Sequence, residues 1–140
     1  MIVFRSPVDA PKLRFARIWW TVGWLIVAFI TVSCLEPPRY VPNLHMWDKL
    51  EHALAFYGMT VWFGGLIRER SYWRLAGWML LFGASIEVAQ GVMGLGRDAD
   101  VMDFAADAVG VAIALAMVYL GLGSWTERIE RLFGLSLEPS

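Results

Sequence analysis

The chain has 140 residues, of which 58% are hydrophobic and eight are Trp, and its mean hydropathy is +0.52. A soluble domain of this size would expose much of that apolar surface to water, so an ordinary soluble fold is excluded. Net charge is −1, which leaves no basic footprint for nucleic acid, and the single cysteine, Cys34, cannot build a disulfide framework.

A basic arm, residues 1–17, carries Arg5, Lys12, Arg14 and Arg17. The first apolar run, Ile18 to Leu35, holds no charge and has the length of a membrane-crossing helix. Trp19 and Trp20 at its start suit an interfacial aromatic belt. Thr31-Val32-Ser33-Cys34 only faintly resembles a lipoprotein cleavage box, because Thr31 stands where Leu is usual; Cys34 reads as a small helix residue. Three prolines between Glu36 and Asn43 forbid helix there and predict a short exposed loop.

The second span is expected from Trp47 to Ile67, with Asp48, Lys49, Glu51 and His52 in its first two turns. The third runs from Trp73 to Met93, apolar except for Glu87 and Gln90 near its end, and Gly91, Gly94 and Gly96 then break it. The fourth runs from Val101 to Leu122, with Asp103 and Asp107 in its opening turns. An amphipathic tail follows from Trp125 to Leu135, with Glu127, Arg128, Glu130 and Arg131 on its wet side. The expected fold is all-α: one four-helix membrane domain over residues 18–122, the basic arm before it and the tail, residues 123–140, after it.

Orientation follows from the basic residues of the short loops. The arm, the loop between the second and third spans, and the tail hold nine Lys and Arg residues, whereas the opposite side holds Arg39, Lys49 and Arg97. Both termini are therefore expected in the cytoplasm.

On that topology the ionisable residues gather at one level, just inside the outer interface. Asp48, Lys49 and His52 enter there on the second span, Glu87 and Gln90 leave on the third, and Arg97, Asp98, Asp100, Asp103 and Asp107 open the fourth. Residues four apart lie about 40° apart around a helix, so Asp48 and His52 share a face, as do Asp103 and Asp107. Gly83 and Gly94 flank the Glu87–Gln90 face and Gly110 continues the aspartate stripe, as expected of close helix contacts in lipid. A buried carboxyl such as Glu87 must pair, protonate or line a wet cavity, since a charge deep in the bilayer costs about 2.5–3.5 kcal/mol.

The sequence of motifs Asp48-Lys49-x2-His52, Glu87-x2-Gln90 and Arg97-x5-Asp103-x3-Asp107-x2-Gly110 resembles the VanZ-like family. The match covers the second to fourth spans and departs at Asp107, where the family pattern usually has Asn. The resemblance implies a multi-pass protein of the bacterial cytoplasmic membrane, tied to the cell envelope and to antibiotic response, but no particular reaction.

Three functions follow as expectations. One is an intramembrane enzyme or binding site for a lipid or lipid-linked envelope precursor. There His52, Glu87 and Asp103 would be catalytic, and Asp48, Lys49, Gln90, Arg97 and Asp107 would bind substrate, with Lys49 and Arg97 as an anion clamp. A divalent cation is conceivable for a His among carboxylates, although no H-E-x-x-H signature is present and no metal ligand is assigned. The second is a scaffold whose polar cluster locks the helices. The third, a proton-coupled transporter, needs polar groups through the whole membrane, and the inner halves of the spans look dry.

Overall fold

The computed structural model describes residues 13–36, 45–67, 71–94 and 98–134. They form five helices: α1 (Ala16–Leu35), α2 (His45–Gly64), α3 (Tyr72–Met93), α4 (Val101–Tyr119) and α5 (Trp125–Leu132), with a 3-10 turn, Leu122–Ser124, before α5. The fold is all-α. Three helices, α1, α3 and α4, are long and apolar enough to cross a membrane. The acidic and basic residues in its first turns keep α2 below that hydropathy.

The ends of the helices follow local chemistry. Glu36, which precedes Pro37, is extended (φ −61°, ψ 139°) and stops α1, as steric conflict with a following proline ring requires. Asp100 caps α4 by accepting the Met102 amide at 2.8 Å. Gly94 ends α3 in the left-handed region at φ +61°. It is exposed, and a side chain there would meet open space. Gly94 is therefore a helix terminator, not the packing residue that its place on the Glu87–Gln90 face predicts.

The four long helices run alternately up and down. Lys49 meets Asp103, His52 meets Asp107, Ala53 faces Gly110 and Gly64 faces Val118, so α2 and α4 are parallel neighbours in constant register. This is the most extensive helix contact among the described residues. The helices approach closely at Gly110, where a Cβ would collide with the carbonyl oxygen of Ala53. α3 runs antiparallel to both, with Gly83 against Phe56 and Asp107 and with Tyr72 beside Tyr119. Gly83 and Gly110 thus stand where helices approach closely, as the small-residue stripes predict. The core between them is apolar, built from Phe56, Met59, Phe63, Met79, Ile86 and Val111.

The outer faces are apolar too. Trp78 is 69% exposed and Val92 81%, surfaces that water would penalise and lipid accommodates. The exposed hydroxyls of Thr21 and Ser85 each donate to the carbonyl four residues back, the arrangement that a lipid-facing hydroxyl needs.

α1 lies at the periphery, with only Gly23 buried, and is tied at each end. At its start, Phe15 supplies no side-chain cap. The Glu130 carboxylate, from α5, accepts instead from the amides of Arg14 (2.8 Å) and Phe15 (3.1 Å) and from the Trp19 indole (2.8 Å). The tail expectation is corrected here: Glu130 does not face water but is 1% exposed. Its anionic head stabilises the positive end of the α1 dipole and the orphan donors there. Thr126, one turn earlier, donates to the Gly65 carbonyl and is also buried. Glu127 and Arg131, also expected on the wet side, form an ion pair one turn apart at 3.0 Å.

Trp19 packs into an aromatic cluster with α2 and α5. Its ring lies 5.9 Å from Trp62 and 5.3 Å from Trp125, and those two are 4.9 Å apart. Every indole N–H in this cluster is satisfied, because Trp62 donates to the Trp19 carbonyl and Trp125 to that of Val61.

Candidate functional site at one end of the bundle

At the end opposite the tryptophan cluster, α2, α3 and α4 bring together eight side chains or caps that the helical spacing selects. Asp48, Lys49 and His52 come from the first turns of α2. Glu87 and Gln90 come from the last turns of α3, and Asp103 and Asp107 from the first turns of α4, just after Asp100. Arg97 lies outside the described residues, as does the loop expected from residue 37 to 43.

Two kinds of interaction are present. The first is a set of helix ties. The Lys49 ammonium bridges Asp100 and Asp103, 2.8 Å from each, and joins α2 to the start of α4. Glu87 Oε2 accepts from the Asp100 amide at 2.8 Å, so a carboxylate of α3 satisfies a donor at the α4 N-terminus. The Gln90 amide donates to the Cys34 carbonyl at 2.9 Å, which satisfies one of the last carbonyls of α1. Lys49 and Gln90, expected to bind substrate, therefore have structural partners. An ammonium already neutralised by two carboxylates makes a poor anion clamp.

The second is a buried group around His52. Its Nδ1 is 2.9 Å from Asp107 Oδ1, both side chains being almost wholly buried. This contact orients the ring and leaves the other nitrogen for chemistry. Glu87, 7% exposed, and Asp107, 0% exposed, each keep one oxygen with no hydrogen-bond partner: Glu87 Oε1 and Asp107 Oδ2. A Cβ at Gly83 would come 2.7 Å from Asp107 Oδ2, so the absence of a side chain there leaves room for that carboxylate. Ligand atoms of His52, Glu87 and Asp107 lie within 4.8 Å of one another, and those of Asp48, His52 and Asp103 form a second such group.

Sequence spacing anticipates this convergence of stripes, Asp100 included. In the structure the Asp100 amide and carboxylate form the junction between Glu87 and Lys49.

Compared with protein-family models, curated proteins and solved structures, the chain gives no match. The functional reading rests on the geometry of this end.

Proposed function

We propose that the chain is a VanZ-like protein of the bacterial inner membrane, crossing it four times with both termini in the cytoplasm. Its His52–Asp107–Glu87 group would bind, and act on, the polar head of a lipid or lipid-linked envelope component at the outer face. Support for a fourth crossing comes from α2, which has the length of α1 and lies in parallel register against the apolar α4. Lys49 and His52 in its first turns are turned toward α4, and Glu51 is exposed. Support for the orientation comes from Arg14, Arg17, Arg74, Arg128 and Arg131, which all belong to the end carrying the tryptophan cluster.

One observation carries the choice of a chemical site over a polar clamp. A clamp satisfies the groups it buries, because each buried unpartnered acceptor costs about 1–3 kcal/mol. Glu87 Oε1 and Asp107 Oδ2 are two such oxygens, on the carboxylates that group with His52. In this reading His52 moves a proton, Asp107 holds its ring, and Glu87 supplies a second carboxylate to the same space. Lys49, Asp100, Asp103 and Gln90 hold the helices that carry them. Those ties are the observation that favours the second reading, a scaffold locked by its polar cluster. The transporter reading finds little support in the core, where Phe56, Met59, Phe63 and Met79 separate the polar cluster from the opposite end.

Near-isosteric variants separate the two readings. His52→Gln and Glu87→Gln are expected to abolish an envelope phenotype, such as tolerance of cell-wall-directed or lipophilic agents, with melting in detergent lowered by no more than about 1 kcal/mol. Asp103→Asn removes half of the Lys49 bridge and is expected to lower melting instead. Parallel, graded losses of melting and phenotype across all three variants would leave only the clamp.

The orientation has its own test. In a Cys34→Ser background, cysteine at Asp98 should react with an impermeant maleimide in intact cells, and cysteine at Ser140 should not. The reverse pattern would move the site to the cytoplasmic face.

A further inference from the structure

We propose that His52, Glu87 and Asp107 form a binding site for one divalent transition-metal ion of the zinc or manganese type. The inference deepens the reading above, resting on its claim that this group is a site rather than a clamp, and it names the ligand that the group is built to hold.

The donor set selects the metal class. One imidazole nitrogen with two carboxylates suits zinc or manganese, whereas magnesium and calcium prefer oxygen alone. The three donors come from three different helices, α2, α3 and α4, so they surround a point instead of lining one face. They lie within 4.8 Å of one another, and donors on a tetrahedral ion at ~2.1 Å are roughly 3.4 Å apart. Small side-chain rotations close that difference.

Burial and charge point to the same ion. Glu87 Oε1 and Asp107 Oδ2 are buried without partners, and carboxylate oxygens in that condition are what a cation satisfies. Lys49, the ammonium of this polar cluster, is already bound to Asp100 and Asp103. The alternative group, Asp48, His52 and Asp103, shares His52 but is the weaker candidate. Its Asp103 oxygen is held by the Lys49 ammonium, which would have to be displaced and would repel an incoming cation. Asp107 is the residue at which the chain departs from the resembled pattern, and it adds the second carboxylate.

Three protein donors leave a further position on the ion open to water or to an oxygen of a bound head group, the arrangement of catalytic rather than structural zinc. The ion would supply a Lewis acid at the buried end of the bundle.

The experiment uses the full chain in detergent, stripped with EDTA, dialysed and titrated calorimetrically with Zn²⁺ alone. One equivalent should bind, and elemental analysis after a second dialysis should find close to one zinc per chain. Glu87→Gln and Asp107→Asn should each weaken binding on the order of tenfold or more, since even outer partners of metal ligands are worth 10–100-fold. Asp48→Asn and His45→Gln should bind as the parent does. Failure of the parent chain to retain zinc or manganese overturns the proposal without any variant having to fold. Undiminished binding in Glu87→Gln, or loss in His45→Gln or Cys34→Ser instead, places the metal elsewhere and also overturns it. The envelope phenotype of Glu87→Gln is read separately: loss of phenotype in a chain that never binds metal would sink this inference and leave the lipid-site reading standing.

Discussion

Gly110→Ala should lower the melting temperature of the detergent-solubilised protein by an amount corresponding to about 2–3 kcal/mol, and Gly110→Leu should prevent accumulation. The cause is the contact between α2 and α4. A Cβ at residue 110 would overlap the Ala53 carbonyl oxygen and lie 3.0 Å from its carbonyl carbon and 3.1 Å from its Cα. Backbone cannot rotate away as a side chain can, so the helices must separate. Separation opens the packing around Phe56 and Val111 and stretches the Lys49–Asp103 and His52–Asp107 contacts, which share the same interface. Overpacking of this kind costs about 1–3 kcal/mol, and rigid backbone places it in the upper part of that range. Two glycines serve as controls. A Cβ at Gly58 or Gly77 would meet nothing, and both are helical. Alanine at either should be neutral or stabilising by up to about 1 kcal/mol through helix propensity alone. Equal melting losses at Gly58 and Gly110 would show that the α2–α4 contact is looser than described.

Removing the Glu130 carboxylate is the second large effect. Glu130→Ala should cost roughly 3–5 kcal/mol, because three donors lose one buried acceptor together. The Arg14 and Phe15 amides belong to the start of α1, and the Trp19 indole belongs to the cluster with Trp62 and Trp125. Losing the carboxylate therefore detaches α5 and α1 from one another while leaving α2, α3 and α4 packed. Arg128 and Arg131 of α5 should then become sites of rapid trypsin cleavage in inside-out vesicles. Glu130→Gln keeps one acceptor oxygen without the charge and should fall between parent and alanine. A Glu130→Ala protein as resistant to trypsin as the parent would show that the tail is held by Thr126 and Trp125 instead. The measurement also separates structural from chemical effects, since Glu130 lies at the far end from His52.

Much of the fold is legible in the chain because a bilayer imposes a one-dimensional rule. Long uncharged runs interrupted by Pro37 and Pro38, by Gly94 and by clustered charge mark helix ends whose observed positions differ by only a few residues. The same rule made His52, Glu87, Asp103 and Asp107 conspicuous: ionisable groups in apolar runs are costly, and helical spacing places them on inward faces. Gly83 and Gly110 were legible for a related reason, as small residues continuing those faces.

What spacing could not decide was which polar groups are consumed by one another. Lys49 looked like an anion clamp and Gln90 like a substrate contact, but pairing depends on which carboxylate or carbonyl a different helix presents. Only packing sets that, placing Asp100 and Asp103 against the Lys49 ammonium and the Cys34 carbonyl against Gln90. Glu130 shows the same limit more sharply. In an eight-residue helix with alternating charge it reads as solvent-exposed, because amphipathicity says which residues share a face and not what that face meets. Its partners are more than a hundred residues away in the chain, at an α1 terminus that lacks a side-chain cap of its own. Gly94 fails in the opposite direction, since a position on the right face lies past the last helical residue and its backbone, not its neighbour, demanded glycine. Composition and periodicity thus determined the helices, their apolar surfaces and the level of the polar cluster. The tertiary structure decided how that cluster divides: ties that satisfy each other, and a histidine flanked by two carboxylates that each keep one oxygen unpaired. Hydrogen-bond satisfaction is a property of three-dimensional neighbours, and no local pattern encodes it.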